Sequence, residues 1–317
     1  MADKSQHAER FSNPDPPGAR NSLERSLELG RATLVGVELR DTLLSIFRSP
    51  DYKPPVLPAV ALELTALTRK ENVSYDDVAG VIERDPLLVA SVLKLVQSPV
   101  YGGRARVHSL LEALSRLGIN TLRDIVWQVV IGTRVFRCPA YAGILERVQA
   151  HSAFTAHAAR VVANHAGIEA EHAFLCGLLH DVGWSGTLAV VSTTLPAPPH
   201  PEVVYSAIDK MHSEAAAIMG ELWGLAPEIV EVIGHHHDPH CMTSPGLVPV
   251  LCVAEQLAED FDFAIEARSD SPLLGLDENL VGRHEHAVSV LGLSAKLDRI
   301  RAQVEEVASR LRAGADK

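Results

Sequence analysis

The run AFLCGLLHDVGWSGTLAV, residues 173–190, is apolar until it meets His180 and Asp181. An ionisable pair inside such a segment is costly unless something satisfies it. Four more residues stand in comparable settings. AGILERVQAHSAFTAHAARVVANHAG aligns Ile144, Val148, His151, Thr155, Ala158 and Val162 at alternating steps of four and three, the helical period. PEVVYSAIDKMHSEAAAIMGELWG puts Tyr205, Ile208, His212, Ala215, Met219 and Leu222 on one line. PEIVEVIGHHHDP runs Ile229, Ile233, His236, and LVPVLCVAEQLAEDF runs Val248, Leu251, Glu255, Ala258. A single histidine on an apolar face is most often a core residue bonded to a backbone carbonyl. Five such sites on five helices share one other answer, a bound divalent ion such as manganese, iron or zinc, for which imidazoles and carboxylates are good ligands. Helix neighbours point about 100° apart, so His180-Asp181 addresses two sides of a site with the carboxylate as a bridge.

The elements that would position these residues read as helices throughout. Ala, Leu and Val dominate the 47% apolar content and aromatics reach only 5%, which suits packed helices better than a β-sandwich. Residues 1–22 are polar and Pro-containing and read as a disordered tail. Residues 23–51 hold a lead-in helix and a Pro-rich connection. Pro58, Ser74, Asp85-Pro86 and Asn120 are expected to open successive helices, and Gly118 to close one. After about residue 265 comes a loop, then SAKLDRIRAQVEEVASRLRAG, an amphipathic tail aligning Leu297, Ile300, Val304, Val307 and Leu311. That tail either packs on the domain or pairs with a partner.

Several function classes fall away. The net charge is −11 and no basic block stands out, so no DNA or RNA surface is expected. The four cysteines, Cys138, Cys176, Cys241 and Cys252, form no CxxC pair and no disulfide framework. No signal peptide and no run approaching the ~18 apolar residues of a membrane span is read, so the expected setting is soluble and cytoplasmic. YGGRAR lacks the spacing of a phosphate loop. HHHDPHC could hold metal by itself as a surface cluster.

The order His151, His180-Asp181, His212, His236, Glu255 resembles the HD superfamily of metal-dependent phosphohydrolases, and more closely the HDOD family. LPAVALELTAL, IERDPLLVASVLKLVQSPVYG and HSLLEALSRLGINTLRDIV resemble that family's N-terminal helical half. HSAFTAHAAR, AFLCGLLHDVG, HSEAAAIMGELWGLAPEIVEVIGHHHDP and VAEQLA resemble its HD half. The resemblance implies an all-α, HD-domain-like bundle over residues 52–262, with halves at 52–139 and 140–262; residues 263–317, outside it, read as a loop plus C-terminal amphipathic helices. It also implies that His151, His180, Asp181 and the last carboxylate hold one metal, and that Asp181 bridges to a second held by His212 and His236. His237 is the runner-up to His236, and His235 is expected to be exposed. Three departures matter. Glu255 stands where aspartate is usual. Trp184 follows HDVG, where active relatives often carry a lysine that would pair with a substrate phosphate. Gln97-Ser98 replaces the usual Asn-Ser, a change assigned to local capping. Arg160, His157 and Lys210 are the remaining candidates for a phosphate grip, each read as a solvated helix residue.

Two functions follow as expectations. One is an HDOD-type signalling module whose metal site accompanies binding of a small nucleotide or a signalling protein partner, with no membrane role and with a homodimer through the terminal helices as one arrangement. The other is an active metal-dependent phosphohydrolase on a nucleotide or cyclic dinucleotide, with Asp181 as its catalytic residue. A scaffold with ordinary core histidines is the third and plainest option.

Overall fold

The computed structural model describes residues 35–315 except 71, 103–106, 133–135, 137, 196, 243–244 and 266–277. The expected disordered tail, the first turns of the lead-in helix and most of the loop after 265 lie outside the described residues. Among those described, every regular element is helical. Helix α1 (35–47) is the visible lead-in helix, with Leu43 and Phe47 buried. The first half continues through α2 (Ala59–Thr68), α3 (Tyr75–Glu83), α4 (Pro86–Val96), α5 (Leu110–Leu117) and α6 (Ile119–Val130). The second half comprises α7 (Ala142–Ala166), α8 (Ala170–Leu179), α9 (Val182–Thr194), α10 (Pro201–Asp209), α11 (His212–Leu222), α12 (Pro227–His235) and α13 (Leu247–Asp260). Two further helices, α14 (Glu278–Val290) and α15 (Leu297–Ala315), follow.

Local chemistry sets most of the boundaries. Ser74 and Asp77 form a reciprocal capping box at α3. Asp85 accepts from the Leu87 and Leu88 N–H groups, with Pro86 at the first helical position of α4. Gln97 donates to the Leu93 carbonyl at 3.0 Å, so its substitution is indeed a capping device. Gly118, at φ 81°, both ends α5 and opens α6. Asn120 therefore is not the cap of α6; its amide instead donates to Glu171 on α8. The line expected through Tyr205 and Leu222 is also broken. The chain turns at Lys210 and Met211, giving two helices, and Leu222 is 54% exposed.

Helix α7 is the hub, packed by α8, α13 and α15, and its whole predicted stripe from Ile144 to Val162 is buried. Because α7 is enclosed on several sides, Arg160 and His157 are not solvated residues. Arg160 donates to Asp124 and lies over the Phe174 ring at 4.1 Å. His157 is buried, edge-on to Phe174 at 5.3 Å. Arg123 on α6 donates to Asp124 at 3.1 Å and to Glu171 at 3.0 Å. This buried network ties the first half to α7 and α8.

The tail settles on its own domain. Ile300, Val304 and Ala308 of α15 are fully buried, and α15 packs on α7. Each fully buried aliphatic chain contributes about 1.5–3 kcal/mol, well above the ~0–1 kcal/mol of an exposed ion pair such as Arg301–Asp260. Residues 170–194 also correct the reading of membrane spans. By length and composition they would cross a membrane, yet 94% of the most apolar window is buried inside the protein, and the stretch is interrupted at His180-Asp181.

Two outcomes follow. Asp124→Ala leaves Arg123 and Arg160 without their shared carboxylate and is expected to cost about 3–5 kcal/mol, read as a lowered urea midpoint. His157 gives a pH effect. Burial and the Arg160 charge push its imidazole down to about 3, while an unfolded histidine takes a proton below about 6.5. The unfolded state therefore binds more protons between those values, and stability falls as pH drops from 7 toward 4. His157→Phe is expected to flatten that fall, measured by urea unfolding across the range.

Candidate metal centre

Six side chains from six helices meet inside the second half. His151 comes from α7 and Glu255 from α13. The other four sit at helix ends: His180 closes α8, Asp181 opens α9, His212 begins α11 and His236 closes α12. Helix ends carry backbone groups without helical partners, and the histidines use them. His180 Nδ1 donates to the Gly177 carbonyl at 2.9 Å, His212 Nδ1 to Asp209 at 2.9 Å and His236 Nδ1 to Ile233 at 2.8 Å. His151 Nδ1 donates to the Phe263 carbonyl at 2.9 Å. A carbonyl only accepts, so all four rings carry their proton on Nδ1 when neutral. All four Nε2 lone pairs then face inward, the arrangement of metal-ligating histidines held by backbone partners.

The Nε2 atoms converge around Asp181. His151 and His180 approach its Oδ2 at 3.3 and 3.2 Å. His212 and His236 approach its Oδ1 at 3.3 and 3.7 Å. Glu255 Oε1 lies 3.7 Å from His180 and 3.8 Å from His236. Within each pair the nitrogens are 3.2 Å (His151–His180) and 3.3 Å (His212–His236) apart. Ligands about 2.0–2.1 Å from an ion stand roughly 2.8–3.0 Å from one another in octahedral and about 3.3–3.4 Å in tetrahedral geometry, so these separations are close to a tetrahedral edge. Facing lone pairs at that distance repel unless a cation lies between them, either a proton, as on the raised His180 imidazole, or a metal ion. The donor set fits a divalent ion, and the split of Asp181 between two histidine pairs fits two.

The electrostatics point the same way. Burial would strip charge from His180, yet Asp181 and Glu255 overcome it and push the imidazole up to about 9. Burial holds His151 and His236 down to about 4, as neutral ligands. Asp181 stays ionised despite burial, held well below the usual carboxylate range by its imidazole neighbours. Burial raises Glu255 to about 7. The two carboxylates concentrate a field that attracts positive charge.

Close packing aims the site. A Cβ on Gly183 would overlap the His212 carbonyl oxygen and stand 2.8 Å from its carbonyl carbon, so only glycine lets α9 reach the start of α11. A Cβ on Gly177 would stand 2.7 Å from the Ala156 Cα on α7. Gly177 and Gly183 thus set the depth of His180 and His212.

All six residues singled out in the sequence come together, and both His236 and His237 adjoin His212, at 3.3 and 3.0 Å between Nε2 atoms. His235 is exposed, as expected. Lys210 pairs with its neighbour Asp209 at the surface and is no phosphate grip. Trp184 is 4% exposed and lies against His212 and Tyr205, at ring separations of 5.8 and 5.4 Å. The sequence did not point to Arg283, on α14, whose Nη2 donates to the His236 carbonyl at 2.9 Å. It belongs to no apolar stripe, and only the packing of α14 brings it here.

Gly183→Ala is expected to displace His212, with at least a tenfold weaker hold on zinc and a lower Tm. Zinc titration and thermal unfolding check both. Unchanged zinc affinity would mean that the α9–α11 approach does not set the ligand.

Comparison with known proteins agrees with this geometry. An uncharacterised protein of Treponema pallidum is 29% identical over 200 residues, covering 59% of this chain and 38% of that protein. Ribonuclease Y of Thermus thermophilus is 31% identical over 128 residues, covering 40% of this chain and 18% of the enzyme. The chain thus spans well under half the length of either relative. Among solved structures, a Shewanella amazonensis protein provisionally named a metal-dependent phosphohydrolase superposes with TM-score 0.67 at 17% identity, over 87% of this chain and 99% of that one. That likeness is one of fold. The family model of the HDOD domain matches residues 55–239. With more than half its length in that match and its six ligand-type side chains gathered on one HD-like bundle, the chain belongs to the HDOD family.

Proposed function

We propose that the chain is a metal-dependent regulatory module. A divalent ion at His151, His180, Asp181, His212, His236 and Glu255 fixes the junction of six helices, and a nucleotide or a protein partner reads that state. Manganese, iron and zinc suit the donor set. The observation that carries the reading is Trp184, an indole packed on His212 at the position where a hydrolase gains from a cation. An indole offers a substrate phosphate no charge. In this reading the anchored Nδ1–H groups hold the rings, and Asp181 and Glu255 offset the charge of the ion. Four free thiols, three of them buried, fit a reducing, cytoplasmic setting.

One observation favours the second reading, hydrolysis of a nucleotide or cyclic dinucleotide. The two oxygens of Asp181 face separate histidine pairs, as a pair of ions would require. Bound metal would supply Lewis-acid polarisation and an activated water, and Asp181 would be the catalytic bridge.

Elemental mass spectrometry of wild type beside His180→Ala/Asp181→Ala tests the site. One or two ions per chain, lost in the variant, is the expected result. Bis(p-nitrophenyl) phosphate then separates the readings. No turnover by the loaded chain is expected, whereas turnover that Asp181→Asn abolishes would make the chain a hydrolase. A wild type that takes up no manganese, iron or zinc sinks both.

A further inference from the structure

We propose that Arg312 on α15 is a positioning residue of the metal centre: it braces the turn 261–263, whose Phe263 carbonyl orients His151, and so couples metal binding to the docking of α15. The proposal rests on the metal reading above and adds the element through which the chain registers the ion. The turn and α15 both lie beyond residues 55–239 matched by the HDOD model.

The four inward-facing imidazoles are not anchored alike. His180, His212 and His236 each donate from Nδ1 to the carbonyl three residues earlier, at 2.9, 2.9 and 2.8 Å. Those partners come with the helix end that carries the ring. His151 stands inside α7, where the nearby carbonyls are taken by the helix itself. Its Nδ1 partner is the Phe263 carbonyl, 112 residues away in the chain, at 2.9 Å. An outer partner of this kind fixes the orientation of a ligating ring. The aim of this one ring therefore depends on how a distant turn is held.

That turn is not held by its own backbone preference. Helix α13 closes with the Phe263 N–H donating to the Ala258 carbonyl at 2.7 Å and the Asp262 N–H to Glu259 at 3.2 Å, the paired bonds of a Schellman ending. The position that such an ending usually gives to glycine is Asp262, at φ 60°. A side chain in that region is strained and persists where its surroundings over-determine it. Here the surroundings are α7 on one side and α15 on the other. Phe263 stacks on Phe154 of α7 with ring centroids 4.5 Å apart. From α15, Arg301 pairs with Asp260 and lies 5.7 Å over the Phe261 ring.

Arg312 brackets the strained residue. It donates to the Phe261 carbonyl, faces the Asp262 carboxylate at 4.0 Å and lies 5.4 Å over the Phe263 ring, within cation–π reach. The rest of α15 is fastened elsewhere: Ile300 and Val304 are fully buried, and Lys296 donates to the His165 carbonyl near the end of α7 at 2.7 Å. Arg312 thus links a docked helix to the carbonyl that aims His151. Such coupling is reciprocal. If docked α15 sharpens the site, a bound ion tightens the turn and the last turns of α15.

The test uses the full chain titrated in turn with zinc, manganese and iron. Outer partners of ligating histidines are worth about 10–100-fold in metal affinity, and Arg312 acts one contact further out, so Arg312→Gln is expected to bind metal roughly fivefold more weakly. Arg312→Lys keeps a charge over the Phe263 ring and is expected to recover part of the loss. Lys296→Ala loosens the other end of α15 without touching the turn, and is expected to lower Tm while keeping wild-type metal affinity. Amide exchange read by mass spectrometry needs no variant and decides the matter should Arg312→Gln fail to fold: in the wild type, metal is expected to slow exchange at 261–263 and in the last turns of α15. Equal affinity in wild type and Arg312→Gln overturns the proposal. So does an equal loss in Arg312→Gln and Lys296→Ala, which would reflect loosened packing alone, and so does exchange at 261–263 that metal leaves unchanged. Each of these leaves the metal reading standing, whereas a wild type that binds none of the three ions removes both.

Discussion

A carboxylate that stays ionised while buried needs positive charge or hydrogen-bond donors close by. Asp181 is such a group, 4% exposed, with the raised His180 imidazole at 3.2 Å and three more imidazole nitrogens around it. Much of the second half of the fold can be read as the means of delivering those nitrogens. Two of the four histidines close helices and one begins one, where a ring can bond a nearby carbonyl and still point inward. The fourth, His151, takes its carbonyl from Phe263, just beyond the end of α13. The approach of α9 to α11 at Gly183 and of α8 to α7 at Gly177 leaves no room for a methyl group, so the same packing that fills the core sets the ligand distances.

The polar groups divide into two systems with different physical logic. The Arg123–Asp124–Arg160 network on the α6–α7–α8 side pairs permanent cations with its own carboxylates and joins the halves. The centre around Asp181 has carboxylates and imidazoles but no permanent cation among its six convergent side chains. Its nearest guanidinium, Arg283, bonds to a backbone carbonyl instead of a carboxylate. The first system is complete within the chain, and the second is a donor set that could hold an ion from outside it.

Much of this was legible in the residues. The helical period exposed His151, His212, His236 and Glu255 as polar interruptions of apolar stripes, and the capping signals at Ser74, Asp85 and Gly118 set true boundaries. The reading failed where a position obeys the period but not the packing. Leu222 continues a perfect line yet faces solvent, because the chain turns at Lys210-Met211 and begins a new helix. Arg160 and His157 look like surface residues of one face of α7, but from His151 to Ala163 the helix has no exposed residue on any face.

The sequence by itself determined that the chain is helical, that six ligand-type side chains lie on inward faces, and that no lysine follows HDVG. Those are consequences of residue type and of a period that any helix must obey. Tertiary structure alone decided which imidazole nitrogen faces in, how Asp181 divides between histidine pairs, that Trp184 lies on His212, and that Arg283 reaches the centre from α14. Each of these depends on a contact between residues far apart in the chain, and helical periodicity carries no information about which helix a face will meet.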